Sequence, residues 1–287
     1  MFDWLIVGAG FTGCVLAERL ASQLGDLVLL LDRRSHIGGN SYDRFDGMGL
    51  LTPVYGRHVL QTEDTRVLAY LSRFTHWYEA ERDAGRDLYT PLRGAADRAQ
   101  RGLGEAVAYD GAALRCPEAM PYADALAAPA LTPAGAVPGH LLGKSLVPTD
   151  GYTAMFDRML SHHNIKLMLN TDYAEVRDII PFRRLIYTGP IDEYFEYCYG
   201  KLPYQAIPAD EHGYPLNAAG DDSLYRRYEE LARTSTAVFF LGRLATYKYL
   251  TMADVVAQAL AAFDRISDAT TAPDPESVVR TISAPSL

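Results

Sequence analysis

Cysteine is scarce in this 287-residue chain: Cys14, Cys116 and Cys198 are too few and too scattered for a disulfide framework or a zinc site. A reducing, cytoplasmic setting is therefore expected. Positive charge is short as well. Lysine and arginine number 27 against 36 aspartates and glutamates, giving a formal charge of −9 and an isoelectric point near 5.3. That balance argues against nucleic acid, whose binding needs a basic footprint. No apolar run approaches the roughly 18 residues of a membrane-spanning helix. Met1 leads straight into the first apolar segment, leaving no room for a signal peptide. There is no internal repeat. At 48% hydrophobic, the chain can bury one large core or two modest ones.

What is present begins at the N-terminus. Met1 to Val7 is a short apolar run, Gly8-Ala9-Gly10-Phe11-Thr12-Gly13 follows, and Val15, Leu16, Leu20 and Leu24 have helical spacing. This predicts a strand, a glycine turn and a helix. The first glycine allows the tight turn, the second lets backbone approach a pyrophosphate, and the third lets the helix pack on the strand, with helix N–H groups facing the anion. The next strand, Leu27 to Leu31, ends in Asp32, where a carboxylate accepts from the ribose of an adenosine dinucleotide. Behind it, Arg33-Arg34-Ser35-His36-Ile37-Gly38-Gly39-Asn40 supplies a second close backbone approach. Flavoproteins of the glutathione-reductase type carry such an extension, which favours FAD over NAD.

Further blocks complete a pattern. Tyr55-Gly56-Arg57-His58, Gly151-Tyr152-Thr153-Ala154-Met155, Asn170-Thr171-Asp172-Tyr173, Thr188-Gly189-Pro190-Ile191-Asp192-Glu193-Tyr194-Phe195 and Gly242-Arg243-Leu244-Ala245-Thr246-Tyr247-Lys248-Tyr249 follow in that order. Together with the 32–42 loop they resemble the UDP-galactopyranose mutase family. The resemblance implies an isomerase that acts on a nucleotide sugar, with reduced FAD attacking the anomeric carbon through N5. It implies that Gly8, Gly10, Thr12, Gly13, Asp32, Arg33, Gly39, Asn40, Thr188, Gly189, Gly242 and Met252 hold FAD. His58 and Arg243 would lie by the flavin and act in catalysis with Tyr247, whose hydroxyl would meet the diphosphate. Arg57, Tyr214, Asn217, Tyr247 and Lys248 would face the substrate. An oxidoreductase on the same FAD domain, or a homologue that binds FAD without turnover, remains the alternative.

The departures lie on the substrate side. In the family, a helical insertion after the histidine block carries an aromatic that stacks on uracil and an arginine that grips the diphosphate. The span from Thr62 to Asp150 is short, rich in Ala, Pro and Gly, and contains neither motif. A second family arginine comes from an antiparallel sheet that is nearly absent here, and Thr251 stands where the family usually has Asp. Arg57, Arg243 and Lys248 are then the cations left to hold an anionic substrate.

The expected fold is α/β: a Rossmann-like FAD-binding domain with a doubly wound parallel sheet, a reduced helical insertion and a reduced antiparallel sheet. The FAD-binding domain would comprise 1–63, 151–200 and 223–266, interrupted by the insertion at 64–150 and the substrate-side sheet at 201–222, with a tail at 267–287. Helices are expected from Asp64 to about Trp77, Gly151 to His162, Ser223 to Arg233 and Met252 to Arg265, with the chain fraying after Ser267. Strands are expected at Ile165 to Leu169, Leu185 to Tyr187 and Ala237 to Leu241. Taken alone, His58 reads as an ordinary loop histidine, and His162-His163 reads as a solvated helix end; no metal site is expected. Homo-oligomerisation is left open.

Overall fold

The structure is a computed structural model and describes residues 1–56, 58–80, 139–207, 210–215, 223–235 and 237–271. Its centre is a parallel sheet of five strands: β1 (Phe2–Val7), β2 (Val28–Leu31), β7 (Ile165–Met168), β8 (Phe182–Tyr187) and β11 (Val238–Phe240), in the order β11-β8-β1-β2-β7. Counted along the chain this is the 3-2-1-4-5 order of a doubly wound dinucleotide fold, with its reversal between β1 and β8.

The central strands are apolar at nearly every position because both faces are covered. Successive side chains point to opposite sides. Trp4, Ile6, Val28, Leu30 and Ile186 join the core under the helices, while Leu5, Leu29, Leu31, Leu185 and Tyr187 form a second core on the other face. Helix α1 (Phe11–Arg19) runs on through a π-helical turn, Leu20–Leu24, until Gly25 in the left-handed region ends it. It packs against the last helix, which extends from Met252 to Thr271.

That last helix outruns its expected end at Arg265 and replaces the frayed tail up to Thr271, since Val256, Leu260, Phe263 and Ile266 are all buried. Thr251 has a local role there. Its backbone N–H and hydroxyl donate to Asp254 Oδ2 at 2.9 and 2.7 Å, and the Asp254 N–H donates back to Thr251 Oγ1 at 3.2 Å, a capping box on the helix start.

Helix α2 (Thr65–Leu71) is capped by Asp64, which accepts from Arg66 and Val67 N–H, and it stops well short of Trp77. Trp77 instead opens β5 (Trp77–Glu79), antiparallel to β6 (Leu146–Pro148), and its indole N–H donates to Ser72 Oγ at 3.0 Å. Strand pairing across the insertion overrides the local helical pattern. Helix α3 (Tyr152–Met159) also ends earlier than expected. His162 and His163 stack with ring centroids 4.4 Å apart in the turn before β7, where His162 Nδ1 accepts from Asn164 N–H. No group of His, Cys, Asp or Glu among the described residues could hold a metal ion, and no described helix is long and apolar enough to cross a membrane. Among the described residues, β3 (Asp43–Phe45) pairs with β4 (Leu51–Pro53), and where the substrate-side sheet is expected β9 (Tyr204–Ile207) and β10 (Asp210–Pro215) form a hairpin.

Candidate dinucleotide and substrate site

The site lies at the carboxyl ends of β1, β2, β7 and β8, around the point where strand order reverses. At the end of β1 the chain turns through Gly8, at φ 102°. A Cβ there would strike Thr188 Oγ1, and that hydroxyl donates to the Val7 carbonyl at 2.7 Å. Thr188 thus ties the turn after β8 to the turn after β1. Gly13 lies one helical turn on, where a Cβ would collide with the Gly8 carbonyl oxygen and press on Leu30. The 33–42 loop docks on the same turn, Gly38 N–H donating to the Ala9 carbonyl at 2.8 Å. A further turn joins where Gly242 N–H donates to Gln258 Oε1 at 2.8 Å.

These turns enclose a cleft of about 1120 Å³, open solvent at its mouth included. Gly8, Gly10, Thr12, Asp32, Arg33, Gly39, Asn40, His58, Thr188, Gly189, Gly242, Arg243 and Met252 line it. Gly13 lies beneath it. Helix α1 points its N-terminus into the cleft with Gly10 at the cap, no side-chain cap and no acidic residue in its first turn. Backbone N–H groups and the helix dipole are thereby left to an anion. Asp32, 9% exposed, marks one end. Its carboxylate accepts from Ala9 N–H at 2.7 Å and Arg34 N–H at 2.8 Å, which fixes its oxygens at the rim.

His58 and Arg243 line the same cleft. His58 is 8% exposed, and its Nδ1–H donates to the Gly56 carbonyl at 2.7 Å, which leaves Nε2 as the acceptor nitrogen of a neutral ring. Burial is the main reason its pKa is pulled down to about 4; the Arg243 charge adds to burial, and the Gly56 hydrogen bond opposes both. The ring is therefore uncharged at neutral pH. Between pH 6.5 and 4 the unfolded chain takes up a proton that the folded one refuses, so stability present above 6.5 is lost as pH falls. The full loss is about 3 kcal/mol. Urea unfolding of the wild type and of His58→Asn at pH 7 and pH 4.5 checks it. The wild type should lose more, and equal losses would contradict the assignment.

Other candidates are placed elsewhere. Tyr247 is 5% exposed, packs with Ile191, Leu202 and Tyr228, and donates its hydroxyl to the Pro203 carbonyl at 2.7 Å. It does not line the cleft. Lys248 is exposed and also outside the lining, as is Tyr249, at 45% exposure. Tyr214 pairs through its backbone with Gln205 in the β9–β10 hairpin. Arg57 and Asn217 lie outside the described residues.

Residues without an expected role also reach the cleft: Thr171, Asp172 and Tyr173 after β7, Tyr187 at the end of β8, and Glu193 beyond it. Arg33 lies 3.6 Å from Glu193 across this end. Thr171, Asp172, Tyr173 and Glu193 belong to blocks that carry the resemblance, and their place near strand ends, where a doubly wound fold meets its ligand, is the physical signal. The Gly-Pro-Ile-Asp block has an internal function. Asp192, fully buried, accepts from Leu202 N–H at 2.8 Å and Tyr204 Oη at 3.2 Å, and so holds the following loop.

The chain is similar to known proteins. A family model described as UDP-galactopyranose mutase matches residues 144–212 and 207–249, and one described as NAD(P)-binding Rossmann-like domain matches residues 6–74. The probable UDP-galactopyranose mutase of Klebsiella pneumoniae is 24% identical over 361 residues, covering 91% of this chain and 93% of that protein. The dTDP-fucopyranose mutase of Escherichia coli is 22% identical over 376 residues, covering 89% of this chain and 96% of that protein. Both alignments run longer than the 287 residues here, so those proteins carry segments this chain lacks. A crystal structure of reduced UDP-galactopyranose mutase superimposes with a TM-score of 0.57 at 12% identity, covering 94% of this chain and 96% of that one, which shows a shared fold. The chain is therefore similar to UDP-galactopyranose mutases, by the family model over residues 144–249 and at low identity along most of its length.

Proposed function

We propose that the chain holds FAD in the cleft and interconverts the pyranose and furanose forms of a nucleoside diphosphate sugar. The observation that carries the reading is the joining, in one cleft, of a dinucleotide half (the glycine turns and Asp32) with His58 and Arg243 at a second group of turns. The donor set suits FAD: a carboxylate for ribose, bare backbone N–H groups at a helix start for the diphosphate, and apolar Leu244, Met252 and Val255 beside Gly242 for a planar ring. When bound and reduced, the flavin supplies an electron-rich N5 as nucleophile toward the anomeric carbon.

The protein's own groups bind, orient and neutralise. Arg243, which lines the cleft, would meet the negative charge of the leaving diphosphate. His58, neutral and with Nε2 as acceptor, is placed to take a hydrogen bond without adding charge beside the ring. Relatives that act on a UDP sugar and on a dTDP sugar keep the proposal at the level of a pyrimidine nucleotide sugar.

The cofactor and the clamp are tested on purified protein. Chromatography of the released cofactor should give FAD, and FMN or nothing from folded protein would overturn the reading. UDP titrated into the reduced protein should bind weakly, because two family arginines have no counterpart motif here. Arg243→Ala should weaken it further, by about 1.5 to 3 kcal/mol or roughly ten- to a hundredfold. Micromolar binding that survives Arg243→Ala would place the clamp elsewhere.

A further inference from the structure

The loop after β2 and the stretch Val54–Gly56 ahead of His58 are fastened chiefly by His36, Tyr42 and Tyr55, to which the cofactor reading gives no role. His36 stands in the first loop, half-buried, with its ring stacked on Tyr42 at 3.8 Å between centroids and 11° between planes. Its Nδ1 meets the Ile37 carbonyl at 3.0 Å, and its Nε2 meets Tyr55 Oη at 2.8 Å. A carbonyl only accepts, so Nδ1 carries the proton; in the neutral ring Nε2 then accepts from the tyrosine hydroxyl. Arg34 lies over the face of the same Tyr55 ring, 4.7 Å from its centroid, and donates through Nη2 to Asn40 Oδ1 at 3.0 Å. Tyr55 is therefore gripped on its face by one residue and at its tip by another. A backbone bond from Val54 N–H to the Tyr42 carbonyl, 3.0 Å, closes the clasp.

We propose that His36 is a positioning residue: through Tyr55 it fixes the Gly56 carbonyl, and with it the imidazole of His58 at the cleft. Two residues separate Tyr55 from His58, and the carbonyl that holds His58 belongs to Gly56, directly after the gripped tyrosine. A shift of Tyr55 therefore moves the acceptor that sets the His58 tautomer. The inference rests on the proposed flavin site only in what His58 does there; the clasp itself is a statement about this chain's own side chains. The charges that bear on His36 are those of Arg34 and Asp32, and its ordinary pKa is lowered chiefly by burial.

The test uses the full chain with its cofactor and three variants: His36→Phe, which keeps a ring to stack on Tyr42, Tyr55→Phe, which removes a single oxygen, and the pair combined. Nitrogen-15 imidazole signals report the tautomer and titration of His58, and the absorption of the bound cofactor reports its surroundings. Each single variant should bring His58 into tautomer exchange and shift the absorption bands. The combined variant should do no more than His36→Phe alone, because both single variants remove the same bond between His36 Nε2 and Tyr55 Oη. Turnover should fall about ten- to a hundredfold with KM little changed. A fastening that only stabilises would lower the melting temperature and leave these signals alone. Unchanged His58 signals and spectrum in Tyr55→Phe, whatever its melting temperature, would overturn the proposal. His58 signals that respond to the variants but not to removal of the cofactor would uphold the clasp while sinking the flavin reading of the cleft.

Discussion

Replacing Glu18 with alanine is expected to destabilise the protein by about 3 to 5 kcal/mol, the cost of breaking a buried ion pair from one side. Glu18 is 4% exposed on α1, and its carboxylate accepts from Arg19 Nε at 2.5 Å and Nη2 at 2.9 Å, from Ser22 Oγ at 3.0 Å and from Tyr70 Oη at 3.0 Å. Arg73 approaches to 3.5 Å from the end of α2. Arg19 is itself 8% exposed and lies 4.8 Å above the Tyr70 ring, so removing the carboxylate strands a cation inside the α1–α2 contact. Urea unfolding at pH 7 measures the loss. The double variant Glu18→Ala, Arg19→Met should recover much of it, since the stranded charge is then gone. A loss under about 1 kcal/mol for Glu18→Ala would mean that water reaches this cluster and that it acts as a surface pair.

Gly13→Ala is expected to empty the cofactor site. The added methyl would overlap the Gly8 carbonyl oxygen and sit 3.2 Å from Leu30 Cδ1, so α1 must move off the β1 turn. Overpacking of this kind costs about 1 to 3 kcal/mol and more where backbone is the obstacle. The N–H groups at the start of α1 move with it. Each bond from backbone to a charged phosphate is worth about 1.5 to 3 kcal/mol, so losing two lowers cofactor affinity by about two to four decades. Gly47→Ala is the control, because nothing lies within 4 Å of the position a methyl would take there. It should change stability by less than about 0.5 kcal/mol. Retention of a full complement of cofactor by Gly13→Ala would show that the ligand does not use this helix start.

How far the sequence could be read depended on how far apart the partners lie. The run from β1 through the glycine turn to Asp32 was legible because each step is local, a change of period followed by a turn of fixed chemistry. The Thr188-Gly189 turn was legible as a motif, though its hydroxyl bond to Val7 spans 181 residues and is visible only in the fold. Trp77 could not be placed by local pattern, since its strand partner is Pro148. Asp43 is a similar case. Its carboxylate caps α3 from afar, accepting from Tyr152 N–H at 2.7 Å and Thr153 N–H at 2.9 Å, and this explains the Gly-Tyr-Thr block in physical terms. Tyr247 was read as a group facing substrate. It sits among the aromatic side chains of Tyr204, Tyr225 and Tyr228, a cluster that exists only once β11, the short helix Ile191–Tyr194 and the helix Ser223–Arg233 are packed. Asp172, Tyr187 and Glu193 reach the cleft for the same reason: the order of the strands, not any spacing in the chain, brings their ends together.

The central claim is that this cleft turns over a nucleotide sugar with a flavin that must be reduced. The most direct measurement incubates the purified, cofactor-loaded protein with UDP-galactopyranose, and in parallel with a dTDP-linked pyranose, once under dithionite and once in air, and separates the products by chromatography. The account predicts a furanose product from at least one of the two sugars in the reduced sample and none in the oxidised one. Equal turnover in both states, or a furanose from neither sugar with the cofactor demonstrably bound and reduced, would contradict it.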